Sequence, residues 1–301
     1  MGKGGNRIFM LEISSDLSIF KMCKTNTQAA VANPCDVVIF NTADCFYNEI
    51  KSEDFLLNNI NWDRINPATG PLYINTAEPG DVLAVTIEEI KIKDQGLTMT
   101  VLGEGPLGNK ISKTAIKIIN IKDDKAIWDE KIHLPLNKMV GVIGTAPAGE
   151  SIANGVPCMH GGNMDCKEIK EGATVYLPVN VPGALLSMGD LHAVMADGEV
   201  GISGLEIAGE VKVRVDVIKN RQMPTPMIEN DTHIMTIASH KNLDQAADMA
   251  VENMWQYLID NYSFNKEEAA MFLSLVGETK ICQIVDPQKT VRVEVLKKYL
   301  L

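Results

Sequence analysis

Short β-branched runs separated by turn residues dominate the first 220 positions of this chain. DVVIFNTAD (36–44), GDVLAVTIEEIKI (80–92), TAIKIINI (114–121), VYLPVNV (175–181) and EIAGEVKVRVDVI (206–218) are each bounded by Gly, Pro, Asn or Asp, and each predicts a strand. In VYLPVNV, Val175, Leu177, Val179 and Val181 fall on one face, and Tyr176, Pro178 and Asn180 on the other. Val211, Val213, Val215 and Val217 alternate with Lys212, Arg214 and Asp216, the pattern of a sheet with one wet face. Gly209 interrupts that run and predicts a bulge. Pro79-Gly80 and Pro182-Gly183 are turn dipeptides. Many short strands with such turns predict a mainly β fold, a sandwich or barrel-like core over 1–220 that carries the catalytic groups.

Helical periodicity appears only later. In 242–262, Leu243, Ala247, Ala250, Met254 and Leu258 recur every three to four residues and form one apolar stripe. A second helix starts at Asn265 as N-cap, with Glu268 three positions on as in a capping box, and ends at Gly277. ICQIV and TVRVEVL flank Asp286-Pro287 and predict a hairpin. Pro224 and Pro226 mark a boundary within 222–230, so 221–301 is expected to form a smaller C-terminal α/β subdomain packed on the core. No internal repeat or low-complexity segment interrupts this plan.

Composition narrows the function. Of 301 residues, 46% are hydrophobic and 22% charged, enough for a sizeable core. With 28 basic and 39 acidic residues the net charge is −11, and no basic cluster offsets it, which argues against nucleic acid and anionic membrane as partners. No apolar run approaches the ~20 residues needed to span a bilayer, and no signal peptide is evident. Six cysteines without a C-x-x-C pair predict reduced thiols and a cytoplasmic protein. The polar MGKGGN start reads as a flexible end.

Familiar catalytic signatures are absent: the chain has no G-x-S-x-G, H-E-x-x-H, P-loop or Rossmann fingerprint. GEGPLG (103–108) follows the weak strand LTMTVL and reads as a turn. Cys158 and Cys166 flank His160 without zinc-site spacing and read as buried, unreactive thiols. GGNMDCKEI (161–169) offers Asn163 and Asp165 as oxygen donors after two glycines, or an Asx-rich turn entering a short helix. The run GDLHAVMADGEVGISGLEI (189–207) sets one histidine, His192, among Asp190, Asp197, Glu199 and Glu206 in an otherwise apolar stretch. If extended, Asp190 and His192 share a face, and a turn at Gly198 returns the later acids towards them. Buried carboxylates of this kind need a cation, an imidazolium or water. Asp44, ending an apolar strand, is a further acid delivered to a strand end. The residues therefore leave two readings open, a mixed carboxylate/His metal site and a solvated polar loop.

The order of five blocks resembles the acetamidase/formamidase family of amide hydrolases. They are 42–54, 65–85, 160–211, 232–246 and 269–286, with HGGNMDCKEIKEGATVYLPVNVPGALLSMGDLHAVMADGEVGISGLEIAGEV the most specific. The resemblance implies hydrolysis of short linear amides to ammonia and a carboxylate, an oligomeric enzyme, and in some members zinc or another divalent ion. The implied positions are Asp44, Asn163, Asp165, Asp190, His192, Asp197, Glu199 and Glu206. On this basis His192, Asp44 and Asp165 are expected as metal ligands and Glu199 as general base. Asp197 and Glu206 are expected to orient the base or complete a second metal shell, Asp190 to partner the imidazole, and Asn163 and Gly162 to bind substrate. Zinc is the expected metal, with calcium as a candidate additional ion, and a homo-oligomer of at least two copies the expected assembly. Two departures, Met195-Ala196 and the Val31–Asp36 turn, bear on the shape of the pocket. Two rival readings are a serine hydrolase using Ser187 or Ser203 with His192, and a calcium-dependent β-sandwich binding module.

Overall fold

The computed structural model describes residues 10–221 and 223–300; the MGKGGN start lies outside the described residues. Strands dominate, as their pattern predicts, and they form two large sheets that do not close on themselves. The nine-stranded sheet runs Leu11–Ile13, Val37–Thr42, Gly209–Ile218, Val82–Ile92, Thr174–Pro178, Met227–Glu229, His233–His240, Lys289–Leu296 and Glu278–Gln283. The eleven-stranded sheet centres on Leu186–His192, flanked by Met139–Gly144 on one side and by Ala68–Ile74 and then Glu206–Ile207 on the other. One apolar core draws on both sheets. Phe40, Leu83, Val85, Val211 and Val213 from the first meet Leu72, Ile143, Leu186, Met188 and Leu191 from the second.

The alternation read from the sequence holds where a sheet has one wet face. Val175, Leu177, Val211, Val213 and Val215 are fully buried, while Arg214 and Asp216 are exposed. Gly209, however, does not mark a bulge. There the chain leaves the eleven-stranded sheet after Ile207 and enters the nine-stranded one, so it steps between layers at Ala208. A Cβ on Gly209 would stand 2.2 Å from the Lys91 carbonyl oxygen, so only glycine allows that crossing so close to the backbone. The register irregularity of this strand lies further on, between Lys212 and Val213.

The C-terminal strands continue the nine-stranded sheet, and two helices pack on them. Helix Leu243–Asn261 buries Ala246, Ala250, Met254, Tyr257 and Leu258 against Ile234, Ala238, Val291, Val293 and Val295. Leu243 and Ala247 of the expected stripe lie at its half-buried edge. Helix Lys266–Val276 has the full reciprocal capping box: Glu268 N–H donates to Asn265 Oδ1 (2.8 Å) and Asn265 N–H to Glu268 Oε2 (3.1 Å). Removing the cap and removing a core ring should separate in size. Asn265→Ala is expected to cost about 1 kcal/mol, and Phe40→Ala roughly 3–5 kcal/mol, in urea melts; equal losses would contradict this division between rim and core.

Candidate active site

Strand Leu186–His192 is the spine of the site, buried along its whole length by its three neighbours. Asp190 and His192 are two residues apart, so strand alternation sends both to one face. The register sets Glu206 opposite His192, where facing side chains start about 5 Å apart at Cβ. His192 Nε2 consequently lies 3.1 Å from Glu206 Oε2 and 3.6 Å from Asp190 Oδ1. Asp165 follows the short strand Gly161–Asn163 and reaches within 3.9 Å of the same nitrogen. Gly141 on the neighbouring strand makes room for both aspartates, since a Cβ there would meet Asp165 Oδ1 at 2.6 Å and Asp190 Oδ2 at 2.9 Å.

The loop after His192 folds back through Gly198, whose φ is +96°. Glu199 then turns inward and accepts a hydrogen bond at Oε1 from Gly204 N–H (3.0 Å). Gly204 also packs on the imidazole, leaving 2.7 Å between a virtual Cβ and His192 Nδ1. The loop is tied to the C-terminal hairpin: Gly198 N–H donates to the Cys282 carbonyl (2.9 Å) and Ile284 N–H to the Gly198 carbonyl (3.2 Å). That link carries Asp286 into the site, where Asn163 Nδ2 donates to its Oδ2 (3.0 Å). Asn163, Asp190, His192, Glu199, Glu206 and Asp286 form the polar floor of a cavity of about 410 Å³, and Asp165 reaches His192 from outside that lining.

Charge in this floor is poorly compensated. Both Asp165 oxygens, Asp190 Oδ1, Glu206 Oε2 and Asn163 Oδ1 are buried without a hydrogen-bond partner, the short His192–Glu206 approach lacking hydrogen-bond alignment. Burial, reinforced by Asp286, holds the Asp165 carboxyl well above the usual carboxylate range. Burial and then Asp165 do the same for Glu199, and burial pushes Glu206 up to about 7. Burial disfavours the His192 imidazolium, but Glu206 and Asp190 outweigh it and hold its pKa well above the ordinary value. Asp165, Asp190 and Glu199 also sit at φ +44°, +56° and +45°, backbone that non-glycine residues adopt uncommonly and that clusters at functional sites.

Among the described residues, three sets of donor atoms lie within 4.8 Å of one another: Asp165–Asp190–His192, His192–Glu199–Glu206 and Cys45–Asp190–Glu206. Unpaired buried oxygens around an imidazole are what a divalent cation would satisfy, so the residues fit a metal.

The profile of the acetamidase/formamidase family matches residues 26–156 and 153–296. The chain belongs to the acetamidase/formamidase family. It is similar to a crystal structure of an acetamidase from Bacillus halodurans (46% identity, TM-score 0.95, 96% of this chain and 98% of that one). A crystal structure of an acetamidase from Yersinia enterocolitica is also similar (30% identity, TM-score 0.93, 99% and 94%). A formamidase of Methylophilus methylotrophus is 38% identical over 86 residues, 28% of this chain and 21% of that protein. The chain spans about half the length of a Schizosaccharomyces pombe relative, 29% identical over 236 residues, 58% of this chain and 56% of that protein.

The structure brings together Asn163, Asp165, Asp190, His192, Glu199 and Glu206. It places three other expected site residues elsewhere. Asp44 points away, capping its own loop by accepting from Phe46 N–H (3.0 Å) and Asn48 N–H (2.7 Å), and its neighbour Cys45 faces the cavity instead. Asp197 is held by Arg292, Nη1 to Oδ1 at 2.6 Å and Nη2 to Oδ2 at 2.9 Å, and by Lys167 at 2.9 Å. So engaged, Asp197 belongs to none of the sets of donor atoms around His192. Gly162 (φ +90°) packs on the Val156 carbonyl and acts through the path of the backbone. Gly161–Asn163 enters a strand rather than a helix, because its backbone pairs with Val142–Gly144. Cys166 is buried as expected, whereas Cys158 is half-buried. Cys45 and Asp286 carried no local signal beyond sitting at the end of a strand and at a hairpin turn.

Burial raises the Asp197 pKa, but the Arg292 and Lys167 bonds outweigh it and hold it below the ordinary value. Its stabilising contribution is therefore complete above the unfolded-state value near ~4 and is lost as pH falls through the lower folded value. Asp197→Asn is expected to lower stability at neutral pH by roughly 1–3 kcal/mol and to flatten the acid branch of a melting-temperature profile. An unchanged profile would refute the assignment.

Proposed function

We propose that this chain hydrolyses linear primary amides to ammonia and a carboxylate. The observation that carries the reading is the floor of buried carboxylates around His192 in a member of an amide-hydrolase family. Glu199 is the proton carrier. Gly204 fixes Oε1 and leaves the other oxygen to take a proton from the attacking water and pass it to the departing amine. Burial raises its pKa, which makes its carboxylate a better proton acceptor than an exposed one. Asn163 has its amide nitrogen engaged by Asp286, so its free Oδ1 accepts from the substrate –NH₂.

Asp165, Asp190, His192 and Glu206 would hold a divalent cation, which supplies an acidified water and polarises the carbonyl. Zinc suits an imidazole–carboxylate set with Cys45 beside it, whereas calcium prefers oxygen donors alone. The serine reading finds less support: Ser203 Oγ accepts from Met99 N–H (2.9 Å), and Ser187 is buried outside the cavity lining. Burial and Glu206 push the Cys45 thiol well up, so it is a poor nucleophile. Glu199→Gln is expected to keep metal content and fold while ammonia release falls on the order of 10²–10⁴-fold. His192→Ala should lose both metal and turnover. Near-normal turnover in Glu199→Gln moves the role of base to Glu206, and full activity in protein shown metal-free by elemental analysis removes the cation from the reading.

The same reading includes assembly and location. Among the described residues, Leu11–Ile13 and the Glu278–Ile281 part of the last strand form the two outer ends of the nine-stranded sheet, and Met271 and Leu275, one helical turn apart, are 61% and 83% exposed. Covering such features favours a homo-oligomer. Light scattering at micromolar concentration is expected to give a dimer or larger, and a 32.9 kDa species alone would refute it. All six cysteines are free thiols, consistent with a reducing cytoplasm. No helix among the described residues is long and apolar enough to cross a membrane.

A further inference from the structure

Resting on the amidase reading, we infer that the substrate is a primary amide whose acyl group is apolar, much larger than acetyl, and uncharged at its far end. Acetamide has four non-hydrogen atoms, whereas a cavity of about 410 Å³ falls among sites of roughly 300–1,000 Å³ that enclose drug-sized ligands. The space beyond the acidic floor is bounded by Phe46, Trp62, Ile65, Met99, Val101 and Ile202. All but Trp62 belong to a single apolar cluster, backed by buried Ile50, Ile60 and Leu97, so this wall is packed and preformed. The Asn66 N–H to Cys45 carbonyl bond (2.8 Å) holds the segments carrying Phe46 and Ile65 side by side. Trp62 stands at the mouth, 52% exposed, with its indole on the cavity. An enzyme for formamide or acetamide alone would leave this wall in contact with water.

Charge sets the second half of the specificity. The described lining has no Lys or Arg, and Glu104 adds an exposed carboxylate at the rim. At the end of the cavity away from His192, an acyl chain ending in a carboxylate meets Glu104 and no cationic side chain of the described lining.

The test is a kcat/KM series for acetamide, hexanamide, 3-phenylpropanamide and succinamate on the purified protein. A buried methylene favours transfer from water by about fourfold. Hexanamide and 3-phenylpropanamide are therefore expected to exceed acetamide by tenfold or more, mainly through lower KM, and succinamate to fall below acetamide. Trp62→Ala, which opens the mouth, and Val101→Trp, which fills the apolar half, should each reduce the hexanamide-to-acetamide ratio at least threefold. Acetamide preferred over hexanamide, or succinamate preferred over both, overturns the inference while leaving the amidase reading intact. Absence of ammonia release from every amide overturns both.

Discussion

Four carboxylates, those of Asp165, Asp190, Glu199 and Glu206, are buried around one imidazole, and much of the surrounding architecture can be understood as meeting that constraint. An ionised carboxylate removed from water without a partner is costly enough that it either neutralises or acquires a cation. Here the raised pKa values of Asp165, Glu199 and Glu206 and the raised pKa of His192 are two sides of one shortage of positive charge. A protein does not hold such a cluster by packing alone. Each acid is delivered by a separate piece of backbone, three of them in the left-handed region, and glycines at 141 and 204 leave the space the side chains need.

Holding those pieces in register falls to a second, fully paired set of charges outside the cavity. Arg292 is buried and grips Asp197 bidentately, with Glu294 on its Nε at 2.6 Å. Gln283 accepts from Val285 N–H and Asp286 N–H, so the hairpin turn is pinned where Asp286 enters the site. The contrast is chemical. Asp197 has its oxygens satisfied and its pKa lowered, while Asp165 has neither oxygen satisfied and its pKa raised. The first arrangement stabilises structure, and the second leaves bonding capacity for a ligand.

The cavity divides its work between two ends. The floor carries the polar groups that can exchange protons, and the wall of Phe46, Met99 and Ile202 provides apolar area that can retain an acyl group.

Element type and local caps were legible in the sequence because they depend on near neighbours. The alternation of Val211, Val213 and Val215, the stripe through Ala250, Met254 and Leu258, and the Asn265–Glu268 box need no knowledge of the rest of the chain. The pairing of Asp190 with His192 was legible for the same reason, two residues on one strand face. By itself the sequence determined that the chain is mainly β and that several acids stand close to His192 along the chain. Which acids reach the imidazole was decided by tertiary structure. Asp197 lies five residues from His192 yet is drawn off by Arg292, ninety-five positions away in sequence, while Asp286 enters through a hairpin that touches the loop at Gly198. Gly209 reads locally as a bulge but is where the chain changes sheets. Charge pairing and layer crossing act between residues distant in sequence and adjacent in space, so no local pattern carries them.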